Sequence, residues 1–176
     1  NIPTGNYELV EKNAPNGYFL NATPVTFKVA EGQTTEVKAY NEAKCSATLI
    51  KRDSYTNETL DGVTFALYTS TNTLIGTYVT TNGKIVVNDL HYGDYYFIET
   101  KTLDGYELDS TRYPFTLSGS ATSYEVTALN HPYPQITFEK IDSDTSQHLT
   151  GAIFEIYKKG ETSPIYTSTG ADTFTL

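Results

Sequence analysis

One aromatic and acidic stretch occurs twice in this chain, and the second occurrence sets the register of everything else. Tyr7-Glu8-Leu9-Val10-Glu11-Lys12-Asn13-Ala14-Pro15-Asn16-Gly17-Tyr18 returns as Tyr95-Tyr96-Phe97-Ile98-Glu99-Thr100-Lys101-Thr102-Leu103-Asp104-Gly105-Tyr106, with Tyr, Glu and Gly-Tyr 88 residues apart. Elsewhere the offset is 89: Lys51-Arg52-Asp53 with Lys140-Ile141-Asp142, Gly62 with Gly151, Phe65 to Tyr68 with Phe154 to Tyr157, and Asn41 with Asn130. Self-similarity at a fixed period marks tandem modules, and a period near 90 residues is the size of one small domain. The chain therefore reads as the back half of one module (1–43), a complete module (44–131) and the front half of a third (132–176).

Within the complete module, apolar and polar residues alternate with period two, as half-buried strands require. Strands are expected over Thr48–Lys51, Val63–Tyr68, Leu74–Thr80, Lys84–Val87, Gly93–Thr100, Tyr113–Leu117 and Tyr124–Leu129, with a hairpin turn at Asn82-Gly83, where both residues tolerate positive φ. With 15 Tyr and neither Met nor Trp, the residue supply favours strands over helices. The expected fold is all-β: tandem antiparallel Greek-key, immunoglobulin-like sandwiches joined at Asn41–Cys45 and at His131–Pro134, with stiff linkers and Cys45 as a linker thiol. A net charge of -9 without basic clusters excludes a nucleic-acid face, and no apolar run is long enough to span a membrane. Cys45 is the single cysteine, so no internal disulfide is available to staple the domain.

Three positions suggest another staple. Lys51 falls on the first strand, Glu99 on a central strand and Asn130 at the end of the last. If first and last strands are neighbours, the three can meet in the interior. Burial there favours an uncharged amine and a protonated acid. A neutral amine held against a carboxamide is a nucleophile, and a protonated Glu99 can bond the amide oxygen, polarise the carbon and move protons to departing ammonia. The product is a Lys51–Asn130 isopeptide bond, made once per molecule without cofactor or metal. Asn82 and Asn88 are further amides of the module; Asn130 is preferred because Asn41 repeats it in register. His91, His131 and His148 lack metal-ligand spacing, and Asp142 to Ser146 reads as a solvated turn rather than a calcium loop.

The Tyr, Glu-Thr-Lys and Gly-Tyr run, the Lys-x-Asp first strand, the Leu60-Asp61-Gly62-Val63-x-Phe65-x-Leu67-Tyr68 second strand and the terminal Asn together resemble the Cna B-type domains, also called SpaA-like or prealbumin-like, of Gram-positive pilins and surface adhesins. The resemblance covers the whole chain. It departs at Thr102-Leu103-Asp104, where Ala-Pro is usual; Ala14-Pro15 in the first copy fits. It implies cross-linking roles for Lys51 and Asn130, and by repetition for Lys140 and Asn41, with Glu99 and Glu11 promoting the reaction. It also implies a stalk or pilus-like role at the extracellular bacterial cell-wall surface, with neighbouring modules as partners and no turnover enzyme activity.

Each half module alone would leave an apolar face and strand edges open. The stretch Ser168 to Leu176 followed by Asn1 to Tyr7 reads almost continuously against Thr81-Asn82-Gly83 to Tyr95, so a half is expected to be completed by a longer array or by a head-to-tail copy. Two alternatives stand beside the structural role: an adhesin module contacting host protein or glycan through exposed Tyr92, Tyr95 and Tyr113, and a passive spacer without the bond.

Overall fold

The computed structural model describes residues 2–175, which fall into two compact units divided between Pro132 and Tyr133. Every regular element among the described residues is a strand. The head and tail residues Asn1 and Leu176, which took part in the expected head-to-tail match, lie outside the described residues.

The first unit contains a hairpin of β1 (Gly5–Leu9) and β2 (Val25–Val29), then seven strands: β3 (Cys45–Asp53), β4 (Thr64–Thr69), β5 (Leu74–Val79), β6 (Lys84–Leu90), β7 (Gly93–Lys101), β8 (Arg112–Leu117) and β9 (Ser123–Asn130). These seven form a three-stranded sheet in the order β6-β3-β9 and a four-stranded sheet in the order β5-β4-β7-β8. One apolar core joins the two faces, with Ala47 and Leu49 of β3, Ile85 and Val87 of β6 and Ala128 of β9 packed with Phe65 and Leu67 of β4, Phe97 of β7, and Phe115 and Leu117 of β8. Phe115 stacks on Tyr95, Phe97 and Tyr124, tying β7, β8 and β9 together.

Not every pairing is antiparallel. After β8 the chain crosses to the other sheet, and β9 lies parallel to β3, with Lys51 opposite Ala128 and Asp53 opposite Asn130. An odd count of strands split between two sheets brings the last strand back in the direction of the first. Cys45 is also not a linker residue. It opens β3 with its side chain buried, as a small hydrophobe fits, and burial pushes its thiol pKa up.

The expected turn is present, with φ of 51° at Asn82 and 69° at Gly83. Only glycine fits the second position, since a Cβ there would lie 2.4 Å from Thr59 Cβ.

The β1–β2 hairpin has a register that recurs later in the chain, between β7 and β8. Gly5 pairs with Val29 and Tyr7 with Phe27, as Gly93 pairs with Leu117 and Tyr95 with Phe115. The segment 1–43 meets the top of the complete module through Phe19 stacked on His91 at 3.8 Å, Glu42 bonded to His91 at 3.0 Å, and the Ala43 N–H donating to the Tyr92 hydroxyl at 3.1 Å.

In the second unit, β10 (Thr137–Glu139) pairs with β13 (Thr173–Thr175), and β11 (Glu155–Ile156) with β12 (Tyr166–Thr167). The Lys140 N–H donates to the Asp172 carbonyl and the Leu149 N–H to the Lys140 carbonyl. The matching bonds around Lys51 run to Gly83 and from Leu60, so the lysine-bearing strand has the same local frame in both places.

Candidate functional site

Alternation along three strands builds the site. On β3 the inward row is Cys45, Ala47, Leu49, Lys51 and Asp53; on β7 it is Tyr95, Phe97 and Glu99; on β9 it ends Ala128, Asn130. Each row is apolar until its last members, and the polar ends of all three converge at one end of the sandwich. Lys51 and Asn130 are 0% exposed and Glu99 3%. A lysine is almost never buried so completely without a special arrangement.

Lys51 Nζ lies 3.5 Å from Glu99 Oε2 and 5.8 Å from the centre of the Phe65 ring. Asn130 Nδ2 donates to Glu99 Oε1 at 2.9 Å and to the Glu107 carbonyl at 3.1 Å, and it also contacts Thr102 Oγ1. The two oxygens of one carboxyl therefore face different groups, Oε2 the amine and Oε1 the amide nitrogen. The expected contact was with the amide oxygen instead. That oxygen, Asn130 Oδ1, has no hydrogen-bond partner among the described residues, and neither do Lys51 Nζ and Glu99 Oε2. Lys51 Nζ and Glu99 Oε2 still face each other as an ion pair at 3.5 Å, which leaves Asn130 Oδ1 as the unpaired atom, at a cost of about 1 to 3 kcal/mol. Burial pulls the Lys51 pKa below the ordinary lysine value, against the opposing pull of the Glu99 and Asp109 charges.

Further residues frame the trio. Asp53 accepts the N–H groups of Tyr55 at 2.6 Å and Thr56 at 2.8 Å and the Tyr106 hydroxyl at 2.7 Å. The Thr56 N–H, more than any other contact, holds its carboxyl below the usual range. The Asp of the Lys-x-Asp strand and the Tyr of the repeated Gly-Tyr thus clasp the loop after β7 to the end of β3. Beside them the Tyr113 hydroxyl donates to Asp109, and burial pushes the Tyr113 pKa up. Thr102 and the Glu107 carbonyl were not anticipated; only the unusual Thr at a position where Ala is expected hinted at the first.

The other anticipated positions are divided. Glu11 Oε2 accepts the Asn41 Nδ2 at 2.7 Å, and Asn41 Nδ2 also donates to the Phe19 carbonyl at 3.0 Å. This is the Glu99, Asn130 and Glu107 arrangement shifted by one period, yet no ion pair to Glu11 occurs among the described residues. Lys140 Nζ donates to the neighbouring Ile141 carbonyl at 3.1 Å. Asn82 and Asn88 are exposed. Tyr95 is buried in the core and Tyr113 half-buried, so the aromatic set proposed for ligand contact does not form an exposed surface. Asp142 accepts the N–H groups of Asp144 and Thr145 in a local turn, and no cluster with metal-ligating composition occurs among the described residues. Among the described residues, no helix is long and apolar enough to cross a membrane.

No curated protein matches the chain. Among solved structures, the Bacillus anthracis TIE protein is similar over 99% of this chain and 35% of its own, with 23% identity and a TM-score of 0.55. BcpA, the major pilin subunit of Bacillus cereus, matches at 26% identity over 57% of this chain and 32% of its own (TM-score 0.49). A streptococcal ancillary pilin matches at 21% identity over 99% of this chain and 63% of its own (TM-score 0.48). The chain spans about a third of the length of the first two. The SpaA family of prealbumin-like fold domains matches residues 1–43 and again 45–132. With two stretches that together make up most of its length matched, the chain belongs to the SpaA prealbumin-like fold domain family.

Proposed function

We propose that this chain is a structural segment of a bacterial cell-surface or pilus-like protein, and that its complete module locks itself with a Lys51–Asn130 isopeptide bond promoted by Glu99. One observation carries the reading: an amine, a carboxyl and a carboxamide, all withdrawn from solvent, with the carboxyl bridging the other two.

The chemistry follows from the contacts. With burial favouring its neutral form, Lys51 Nζ attacks Asn130 Cγ. Glu99 Oε2 faces the amine and takes the proton it sheds; Oε1, against Nδ2, returns one to the nitrogen that leaves as ammonia. The C–N bond to Nδ2 breaks as the C–N bond to Nζ forms, so amine plus primary amide becomes secondary amide plus ammonia. The ground state helps, because the bond removes a lysine amine that is costly to bury. Exclusion of water protects the carbonyl from hydrolysis.

The mechanical consequence supports the structural role. Lys51 and Asn130 sit on the adjacent first and last strands of the module, so a bond between them carries tension from one to the other and bypasses β4 to β8. The partners implied are neighbouring modules of the same kind.

Intact mass under denaturing conditions tests this. The native chain should lack one ammonia for the 44–131 module, and digestion should yield a branched peptide joining Lys51 to Asn130. Lys51→Arg and Asn130→Ala should each restore the full mass. A native chain at its full sequence mass would remove the bond.

A further inference from the structure

An amide nitrogen that leaves Asn130 starts from a site withdrawn from solvent, so it needs a way out. Lys51 and Glu99 sit on strands flanked on both sides, β3 between β6 and β9, and β7 between β4 and β8. Asn130 lies on β9, the end strand of its sheet, and β8 is an end strand of the other. These two ends meet where Phe115 stacks on Tyr124 at 4.6 Å. Toward the trio the seam opens, because β8 begins at Arg112, opposite Ile98, one residue short of Glu99. The loop between β7 and β8 covers that end instead.

The loop and the two strands wall a groove of about 480 Å³ that includes Glu107, Asp109, Tyr113, Thr127, Leu129 and His131. Two of these adjoin the leaving group. The Glu107 carbonyl accepts Asn130 Nδ2 at 3.1 Å, and Leu129 directly precedes Asn130. Among the described residues, no lysine or arginine lines the groove. The Asp109 carboxylate is fixed in its wall by the Thr111 N–H at 2.9 Å and by the Tyr113 hydroxyl. Burial pushes the Asp109 pKa up, but these bonds outweigh burial and hold the carboxyl below its usual range. His131 Nδ1 is engaged by Ser54 Oγ at 2.9 Å.

We propose that this groove is the port through which the Asn130 nitrogen leaves, and that Asp109 receives it there as ammonium. The inference rests on the Lys51–Asn130 reading. As the bond from Lys51 Nζ to Asn130 Cγ forms, the bond from Cγ to Nδ2 breaks and Nδ2 departs as ammonia. It passes the Glu107 carbonyl, takes one proton from solvent at the groove, and pairs as ammonium with the Asp109 carboxylate before release. Ammonia kept at the site would return to the carbonyl, so slower exit is slower net loss.

The test refolds the full chain from denaturant, at a pH where the native rate has levelled off, and samples intact mass with time. Asp109→Asn should slow ammonia loss about tenfold, the size of one hydrogen bond to a charged group, and Asp109→Glu should keep the native rate. Thr127→Trp, which narrows the groove from an exposed position on β9, should slow it similarly, and it tests the port even where Asp109→Asn fails to refold. Asn130→Asp makes the leaving group water, which is neutral, so in that background Asp109→Asn should leave the rate of water loss unchanged. Native rates in both Asp109→Asn and Thr127→Trp overturn the port and leave the Lys51–Asn130 bond standing. Slowing by Thr127→Trp alone overturns the part given to Asp109, as does equal slowing of ammonia and water loss by Asp109→Asn; slowing by Asp109→Asn alone overturns the groove as the route. A native chain at its full sequence mass overturns the Lys51–Asn130 reading and the port with it.

Discussion

Glu99→Gln is the most informative single substitution. Gln keeps the length of the side chain and can still accept the Asn130 Nδ2 hydrogen bond now made at 2.9 Å, but it cannot take a proton from Lys51 at 3.5 Å. The side chain also keeps its volume at a position 3% exposed, so the loss should fall on the bond rather than on the fold. The Lys51–Asn130 link closes a loop of roughly 80 residues, and the chain-entropy relation used for disulfides assigns such a closure about 4.5 kcal/mol at room temperature. For a domain of this size, that corresponds to a fall in Tm of roughly 20 to 35 °C. Intact mass reports whether ammonia has been lost, and differential scanning calorimetry of the same samples reports Tm. The variant should show the unmodified mass and melt far below the native chain. If it loses ammonia at the native rate, proton transfer through Glu99 is wrong. If mass differs but Tm does not, the link carries no stability and the mechanical argument fails with it.

Bond formation should need the uncharged amine, so after refolding from denaturant its rate should fall as pH drops below the Lys51 pKa, which burial sets beneath the ordinary value; timed intact-mass sampling checks this. In an unlinked Asn130→Ala chain the same depressed pKa works on stability. The unfolded state binds the proton more tightly, so stability should rise with pH from the folded value up to the ordinary 10.5, and Lys51→Met in that background should flatten the slope in urea titrations. Gly83→Ala should cost at least about 1 to 3 kcal/mol by chemical denaturation, because φ is 69° and the added methyl meets Thr59. Thr102→Ala removes a contact to the Asn130 amide and should slow ammonia loss by roughly fivefold, the equivalent of about 1 kcal/mol of positioning; an unchanged rate would make Thr102 a bystander.

Much of this protein was legible one residue at a time. Alternation placed seven strands to within a few residues, and Asn82-Gly83 announced its turn. The period of 88 to 89 paired Glu11 with Glu99 and Asn41 with Asn130 before any coordinates, and the hairpin registers repeat at the same spacing. A repeat survives in sequence because each copy must bury the same face, so pattern alone carries it.

Other features exist only across sheets. That β9 runs parallel to β3, that Cys45 is a core residue, and that Tyr106 reaches Asp53 depend on where the chain crosses between layers, which local periodicity does not encode. The same holds for the amide of Asn130: sequence could name the acid and the amide, but only packing against Thr102 and the Glu107 carbonyl turns its nitrogen toward Glu99. Sequence determined which residues line each inward row. Tertiary structure decided that three rows end at one point withdrawn from solvent, where a surface-type lysine becomes a buried amine facing Glu99.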